Sequence, residues 1–338
     1  MPDRATIEDV AARSGVSTAT VSRVLSGSVP ARPETRERVL SAARELDYRP
    51  SAVARALKRQ ETRTLGLLIT DIANPFYPQI VRSVEEAAHE RGYGIVLCNA
   101  GDDPDRELTY LELLLERRVD GIIVASSRAS RRMVEGFHRS AVPVVLVNSG
   151  AAGSGLPSID TAHRHGARTA AQHLLTLGHR RIGHITAADW NAAAGPRLAG
   201  VRDALRHAHL DPDELLVAEG DGHVEGGVRA CGQLISEGGV TAMTCYNDLT
   251  AIGALRALRS AGLRVPRDVS VVGFDDIEMA SWTDPPLTTI RQPTARMGRW
   301  AVAQLTDGDS AGPAEPAVVH LEPELVVRGS TAPPPERE

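Results

Sequence analysis

The feature that most limits what this chain can fold into lies in residues 64–338, where short apolar runs alternate with amphipathic helical stretches. Leu65 to Ile69 is followed by a stretch with Ile80, Val81, Val84, Ala87 and Ala88 on one helical face. Ile95 to Leu97 precedes one carrying Leu108, Leu111 and Leu115, and Ile122–Val124 and Val144–Val147 continue the series. After a helical stretch around Ala167–Leu177, Ile182 to Ile185 opens a second series, continued by Leu215–Val217, Ala242 to Cys245 and Val269–Val272. Apolar strands separated by helices predict βαβ units and parallel sheets covered on both faces. So long a pattern exceeds one modest sheet. Its restart after the Gly/Ser-rich Ser149–Gly155 favours two doubly wound lobes over a closed (β/α)8 barrel.

Open parallel sheets bind ligands beyond the C-terminal ends of their strands. The residues expected there are polar: Asp71, Asn99, Ser126, Asn148, Asn247 and Asp275. Each alone is an ordinary turn former or helix cap. Together they predict a cleft.

The head of the chain is different. Residues 1–64 hold 12 Lys/Arg against 8 Asp/Glu, whereas the remainder holds 26 against 35, so the net charge of −5 conceals a basic head on an acidic body. That asymmetry points to a nucleic-acid-binding arm. Thr6-Ile7-Glu8-Asp9 places a hydroxyl N-cap three residues before a carboxylate, as a capping box requires. Gly15 stops this helix, and Ser17 caps a second, Thr18 to Leu25, buried through Val21, Val24 and Leu25. Two short helices joined by a glycine-containing turn form a helix-turn-helix, whose second helix reads a DNA major groove. A third helix from Pro33 to about Asp47 packs back through Val39, Leu40, Ala43 and Leu46. An ordinary three-helix cap without a DNA role is the competing reading.

The segment Tyr48 to Lys58 favours the DNA reading. Pro50 precedes Ser51, an N-cap residue, and a short run of small residues with one bulky Leu57 and basic Arg55 and Lys58. Small residues permit close backbone approach, and an apolar wedge between base steps is a minor-groove device. So short a helix needs DNA or a partner chain to support it. Residues 58–63 are wholly polar and read as a linker.

Several classes are excluded. No run approaches the ~18 apolar residues of a membrane helix, and Met1-Pro2-Asp3-Arg4 lacks a signal-peptide pattern, so a cytoplasmic protein is expected. Cys98, Cys231 and Cys245, never in a CxxC pair, read as reduced core residues. His163-x-His165 and His207-x-His209 lack a third ligand at metal spacing and read as surface-helix histidines. No GxGxxG, GxSxG, HExxH or P-loop sequence occurs, so neither a cofactor nor catalysis is expected.

Taken together, Thr6–Ala11, Gly15-Val16-Ser17, Thr20–Leu25, Thr35–Val39 and Ser51–Leu57 resemble the lactose-repressor (LacI) family of bacterial transcription regulators, in its purine- or galactose-repressor type. The resemblance continues through Gly178–Ile182, Arg197–Gly200, Asn247-Asp248, Gly262–Pro266, Val272–Asp276 and Pro286–Ile290, covering Thr6 to about Val327. It implies a helix-turn-helix head (1–50), a hinge helix and linker (51–63), and a body similar to periplasmic sugar-binding proteins. The expected lobes are 64–160 with about 291–320, and 161–290 with about 321–330, followed by a frayed tail, 331–338. It implies that Thr18, Ala19 and Arg23 face major-groove bases, within a DNA-contact set of Thr6, Ser17, Thr18, Ala19, Thr20, Ser22, Arg23, Ser51, Ala54, Arg55, Leu57 and Lys58. Leu57 from each of two chains would wedge into the centre of a palindromic operator. Where Ser26 stands, family members often carry Asn.

Carried onto the body, the resemblance implies effector contacts at Phe76, Asn148, Arg197, Asn247 and Asp275, with Trp190 added. Family members often place a stacking aromatic after the equivalent of Glu219-Gly220-Asp221; here Gly222 and His223 follow, and Trp190 and Trp282 are the candidate replacements. The expected function is a repressor of double-stranded operator DNA, acting as a homodimer with a tetramer left open. Its effector is expected to be sugar-like rather than a purine. A small-molecule-binding protein or enzyme with an incidental helical cap is the main alternative. An architectural DNA-binding protein is disfavoured because it has no use for the large acidic body.

Overall fold

A computed structural model describes residues 5–26, 31–48, 61–126, 131–140, 142–150, 153–189, 191–307 and 318–335. The chain divides into two compact units, Met1–Thr62 and Arg63–Glu338.

The first unit holds three helices among its described residues: α1 (Ile7–Ser14), α2 (Thr18–Ser26) and α3 (Pro33–Glu45). Thr6 caps α1 in a complete capping box with Asp9, and Gly15 ends it with φ 64°. Val10, Ala11, Val21, Val24, Val39, Ala42 and Ala43 form one small core. Arg38 donates to the Ser14 carbonyl, satisfying the end of α1 from α3. Arg13 pairs with Glu45 at 2.6 Å.

The second unit contains two parallel sheets. Strands β1 (Thr64–Ile69), β2 (Gly94–Asn99), β3 (Gly121–Ala125), β4 (Val144–Val147), β5 (Ser158–Thr161) and β11 (Val318–Leu321) make the first, in the order β11-β5-β4-β3-β1-β2. Strands β6 (Ile182–Thr186), β7 (Leu216–Glu219), β8 (Ala242–Cys245) and β9 (Ser270–Val272) make the second, in the order β7-β6-β8-β9. In each sheet the strand order reverses beside the first strand, the switch point at which doubly wound sheets open a crevice.

Helices cover both faces. Leu67, Ile69, Ile123, Val145 and Val147 face α4 (Phe76–Glu90) and α11 (Thr294–Thr306), while Leu68, Ile122, Val124 and Leu146 face α5 (Pro104–Glu116) and α6 (Arg131–Arg139). In the second sheet, Ile182, Ala242 and Val272 face α7 (His163–Thr176) and α8 (Ala194–His207). Ile185, Met243, Cys245 and Val271 face α9 (Val224–Glu237) and α10 (Asp248–Ser260). The three cysteines are free and buried.

The chain passes between the lobes three times within a few residues. It leaves β5 at Thr161 for α7, leaves β10 (Thr289–Arg291) for α11, and leaves β11 at Leu321 for β12 (Glu324–Val326), which pairs antiparallel with β10. Two expectations change here. Ser149–Gly155 does not mark the passage between lobes, because β5 follows it and pairs with β4 in the first sheet. Ser158-Ile159-Asp160-Thr161 is too polar to read as a strand, although all four residues are buried. The tail is docked rather than frayed over its first residues. Thr331 Oγ1 bonds His173 Nε2 at 2.9 Å, and Ala332 exchanges bonds with Ser270 Oγ at 3.1 Å.

Each lobe is rigidified by helix pairs in backbone contact. A Cβ on Gly253 of α10 would lie 2.1 Å from the Val224 carbonyl oxygen, one on Gly200 of α8 2.2 Å from that of Arg164, and one on Gly298 of α11 2.1 Å from Ser83 Oγ. Nothing lies within 4 Å of the equivalent point on Gly232 of α9. Gly253→Ala is therefore expected to lower unfolding stability by about 1–3 kcal/mol through overpacking. Gly232→Ala should raise it by roughly 0.5–1 kcal/mol through helix propensity. Urea unfolding of both variants checks the pair of opposite signs.

Candidate functional site

In the head, α2 presents an exposed face. Its buried side carries Val21 and Val24, leaving Thr18, Ala19 and Arg23 exposed at and after its first turn. Ser17 begins it: Ser17 Oγ accepts from Thr20 N at 3.2 Å and lies 2.9 Å from Thr20 Oγ1. Thr20 and Ser22 are half-buried. The Arg23 Nε donates to the Ala19 carbonyl at 3.3 Å, which holds its guanidinium along the exposed face. Thr6 is occupied in the capping box but remains at the surface. Ser51, Ala54, Arg55, Leu57 and Lys58, the minor-groove part of the expected set, lie outside the described residues.

In the body, the C-terminal strand ends of both sheets face one cavity between the lobes, with about 620 Å3 of space including its open side. From the first lobe it receives Thr70 and Asp71 after β1, Asn74, Phe76 and Tyr77 at the start of α4, Asp102 after β2, and Asn148 after β4. From the second it receives His163 at the start of α7, Asn191, Ala193 and Arg197 before and within α8, Asp221, Gly222 and His223 after β7, Tyr246 and Asn247 after β8, and Asp275 after β9. Gln292, on the passage from β10 to α11, completes it.

Arg197 organises the second-lobe wall. Only 4% exposed, its guanidinium carbon sits 3.7 Å from the Phe274 ring centroid and 4.6 Å from that of Tyr246. Aromatic faces attract the cation and replace part of its lost hydration. Nη1 donates to the Tyr246 carbonyl, and Nε and Nη2 lie 3.4 Å from His163 Nδ1. Nη2 is 3.6 Å from Asp275 Oδ1. That carboxylate also accepts from Gln292 Nε2 at 2.7 Å. Burial pushes Asp275 up to about 6, against the opposing pull of Arg197 and Gln292. Burial, the Arg197 charge and His320 hold His163 well below the ordinary histidine range, so it is neutral.

Asn247 begins α10: its Oδ1 accepts from Thr250 N at 2.8 Å while its Nδ2 donates to the Gly222 carbonyl at 2.9 Å. Asn148, at φ 53°, accepts from Thr161 N through Oδ1 at 2.9 Å. The lobes also touch around the cavity. Gln79 Nε2 donates to the Asp276 carbonyl at 3.2 Å, and His223 Nε2 is 3.9 Å from Asp102 Oδ2.

The structure thus brings Phe76, Asn148, Arg197, Asn247 and Asp275 to one cavity; Trp190 lies outside the described residues. Of the six polar strand ends, Asp71, Asn148, Asn247 and Asp275 line the cavity. Asn99 instead accepts from Ile72 N at 2.9 Å, and buried Ser126 bonds Glu107. Trp282 is 68% exposed and absent from the lining, so it does not replace the aromatic missing at Gly222. His163 is a cavity histidine rather than a surface one, because α7 begins at it, four residues before the expected helix. Sequence reasoning places Tyr246 beside the cleft but does not find Gln292 or Asp102. Gln292 follows a strand of only three residues, whose periodicity is too short to place it.

Among the described residues, no group of three or more His, Cys, Asp or Glu could hold a metal ion, and no helix is long and apolar enough to cross a membrane. Residues 6–51 match the model of bacterial regulatory proteins of the lacI family, and residues 171–331 match that of the periplasmic binding protein-like domain. The chain is 37% identical over 328 residues to the HTH-type transcriptional repressor PurR of Vibrio atlanticus (strain LGP32), spanning 96% of this chain and 98% of that protein. Among solved structures it is similar to a lac repressor dimer bound to operator and the anti-inducer ONPF, with TM-score 0.88, 31% identity and coverage of 98% and 100%. It is likewise similar to a complex of the transcriptional regulator CelR with cellobiose, with TM-score 0.74, 36% identity and coverage of 97% and 100%.

The raised Asp275 carboxyl gives this cavity a measurable signature. An unfolded aspartate titrates near ~3.9. With the folded value at about 6, this group favours the folded state below the unfolded value, and that contribution is lost as pH rises through the folded one. Carbon-13 NMR of the side-chain carboxyl should show a midpoint near 6. Arg197→Met should move it upward, by removing the cation that favours the charged form.

Proposed function

The chain belongs to the lacI family of bacterial regulatory proteins, and on that premise we propose that its hold on operator DNA is set by a sugar-like molecule bound between the two lobes. The protein is a DNA-binding transcriptional repressor with an effector-binding domain. The sugar reading rests on one observation: the cavity is walled by hydrogen-bonding groups from both lobes. Asp71, Asp102, Asn148, Asp221, Asn247 and Asp275 all line it. A molecule bearing many hydroxyls donates to carboxylates and both donates to and accepts from amides, so it suits such a wall on every side. Gly222 leaves no ring at the position where a flat base would be stacked. The similar CelR structure with cellobiose supports the same class.

A purine is the second reading, favoured by near full-length similarity to PurR repressors. Under this reading, Phe76, Tyr77 and Tyr246 supply the planar contacts.

Operator binding is assigned to α2 in the major groove, with Thr18, Ala19 and Arg23 toward the bases, and to Leu57 as a wedge in the minor groove. A palindrome is read by a two-fold dimer. On the body, Ile72, Leu97 and Trp282 are large exposed apolar side chains suited to a second copy.

Deleting residues 1–63 should abolish operator retention in a mobility-shift assay while leaving the body folded. Leu57→Ala should reduce operator bending without altering the body's melting temperature. A thermal-shift panel of mono- and disaccharides against purine bases and nucleosides tests the effector. A ligand at 100 times its Kd adds about 2.7 kcal/mol to folding. Stabilisation by saccharides and not by purines is the expected result, and the reverse overturns the sugar reading.

A further inference from the structure

Gln292 occupies an unusual place: it sits on a passage between lobes, yet it is only 3% exposed and its side chain reaches both. Its Oε1 accepts from Asn148 Nδ2 at 2.7 Å and from Thr161 Oγ1. Asn148 follows β4 in the first lobe, and Thr161 ends β5 where another passage begins. Two donors on the oxygen leave the amide one orientation. Its Nε2 must then face the second lobe, where it donates to Asp275 Oδ1 at 2.7 Å. A single planar group thus joins two passages and both lobes to the carboxylate at the cavity wall.

We propose that Gln292 is a positioning residue that couples the Asp275 carboxylate to the angle between the lobes. Asp275 can accept Nε2 only while the amide is held by Asn148 and Thr161, and those two bonds persist only while the lobes keep this spacing. Opening the lobes breaks one set or the other. A molecule donating to Asp275 favours its charged form, strengthens the Gln292 bond and holds the closed arrangement. This consequence rests on the reading of Asp275 as an effector contact; the linkage itself does not.

Other charged and titratable groups face Asp275 from each neighbouring element. Arg197 approaches from α8 with His163 behind it on α7. Tyr246 follows β8, buried Asp248 starts α10, and Asp276 adjoins in sequence. None of them links the two lobes through hydrogen bonds at both ends of one side chain, as Gln292 does.

The test uses the full-length protein without added ligand. The Asp275 midpoint is followed by carbon-13 NMR, assigned by the loss of its signal in Asp275→Asn. Lobe spacing is followed by electron-spin distance measurement between labels on Glu112→Cys and Glu237→Cys, both exposed, while the native cysteines are buried. Gln292→Met removes both functions of the amide at nearly constant volume. It should raise the Asp275 midpoint by about one pH unit, the scale of one lost hydrogen bond to a carboxylate, and broaden the lobe distances. Thr161→Val should shift both in the same direction by less, and Gln292→Glu should raise the midpoint most by placing a second carboxylate alongside. If Gln292→Met fails to fold, the other two variants carry the test. An unchanged midpoint overturns the proposal, and so does a raised midpoint with an unchanged distance distribution. A failed effector panel would leave these results intact, so the two readings fail separately.

Discussion

The buried meeting of Arg197 and Asp275 is the interaction on which the cavity depends. Taking two charges out of water is costly, and their attraction offsets the cost only with good geometry and further hydrogen bonds. Their geometry is incomplete. The two groups stand 3.6 Å apart, and the arginine's other donors turn to the Tyr246 carbonyl and to His163. The aromatic rings on its faces and the Gln292 amide on its partner make up part of the difference. The remainder shows as a carboxyl whose affinity for protons is raised. Such a site favours any occupant that brings donors to the carboxylate, since it supplies what the protein leaves unmet.

Stiff lobes give that local preference mechanical reach. Gly200, Gly253 and Gly298 let neighbouring helices close to backbone contact, where the interior has no room to yield. A body built of two such blocks concentrates its freedom at the three short passages between them. Two residues beyond Asn148, a Cβ on Gly150 of the first lobe would lie 2.4 Å from the Ala192 Cβ of the second. This approach of the lobes leaves no room for a side chain at that point.

Much of this was legible in the sequence because it follows from periodicity and end chemistry. Leu65–Ile69 and Val269–Val272 alternate between two covered faces, so apolar runs located the strands. Asn148, Asn247 and Asp275 stand at strand ends, where the doubly wound fold gathers ligands. What escaped was long-range or short. Ser158–Thr161 is buried by neighbouring strands, not by its own hydrophobicity. Gln292 acquires its role from Asn148, 144 residues away, and from Asp275. His163 looked solvated because its helix was placed four residues late; capping failed as a guide, for Ala162 offers no side-chain cap. Trp282 misled because aromatic content marks a pocket only when the backbone turns the ring inward.

Regulation by a ligand requires different affinities in the two lobe arrangements, for one that binds both equally shifts nothing. On the proposed reading, a cavity lined from both lobes suits that condition. Phe76 and Asn148 belong to one lobe and Arg197, Asn247 and Asp275 to the other, and all five line one cavity. The Gln79–Asp276 bond and the approach of His223 to Asp102 already favour closure without a ligand. Because these contacts are partly exposed, they set a modest bias, to which the contacts of a bound ligand add on the proposed reading. A deep bias would leave the effector nothing to shift, whereas none would make closure cost the ligand much of its affinity. On that reading, weak contacts at the rim and a demanding charge pair at the centre are complementary parts of one switch.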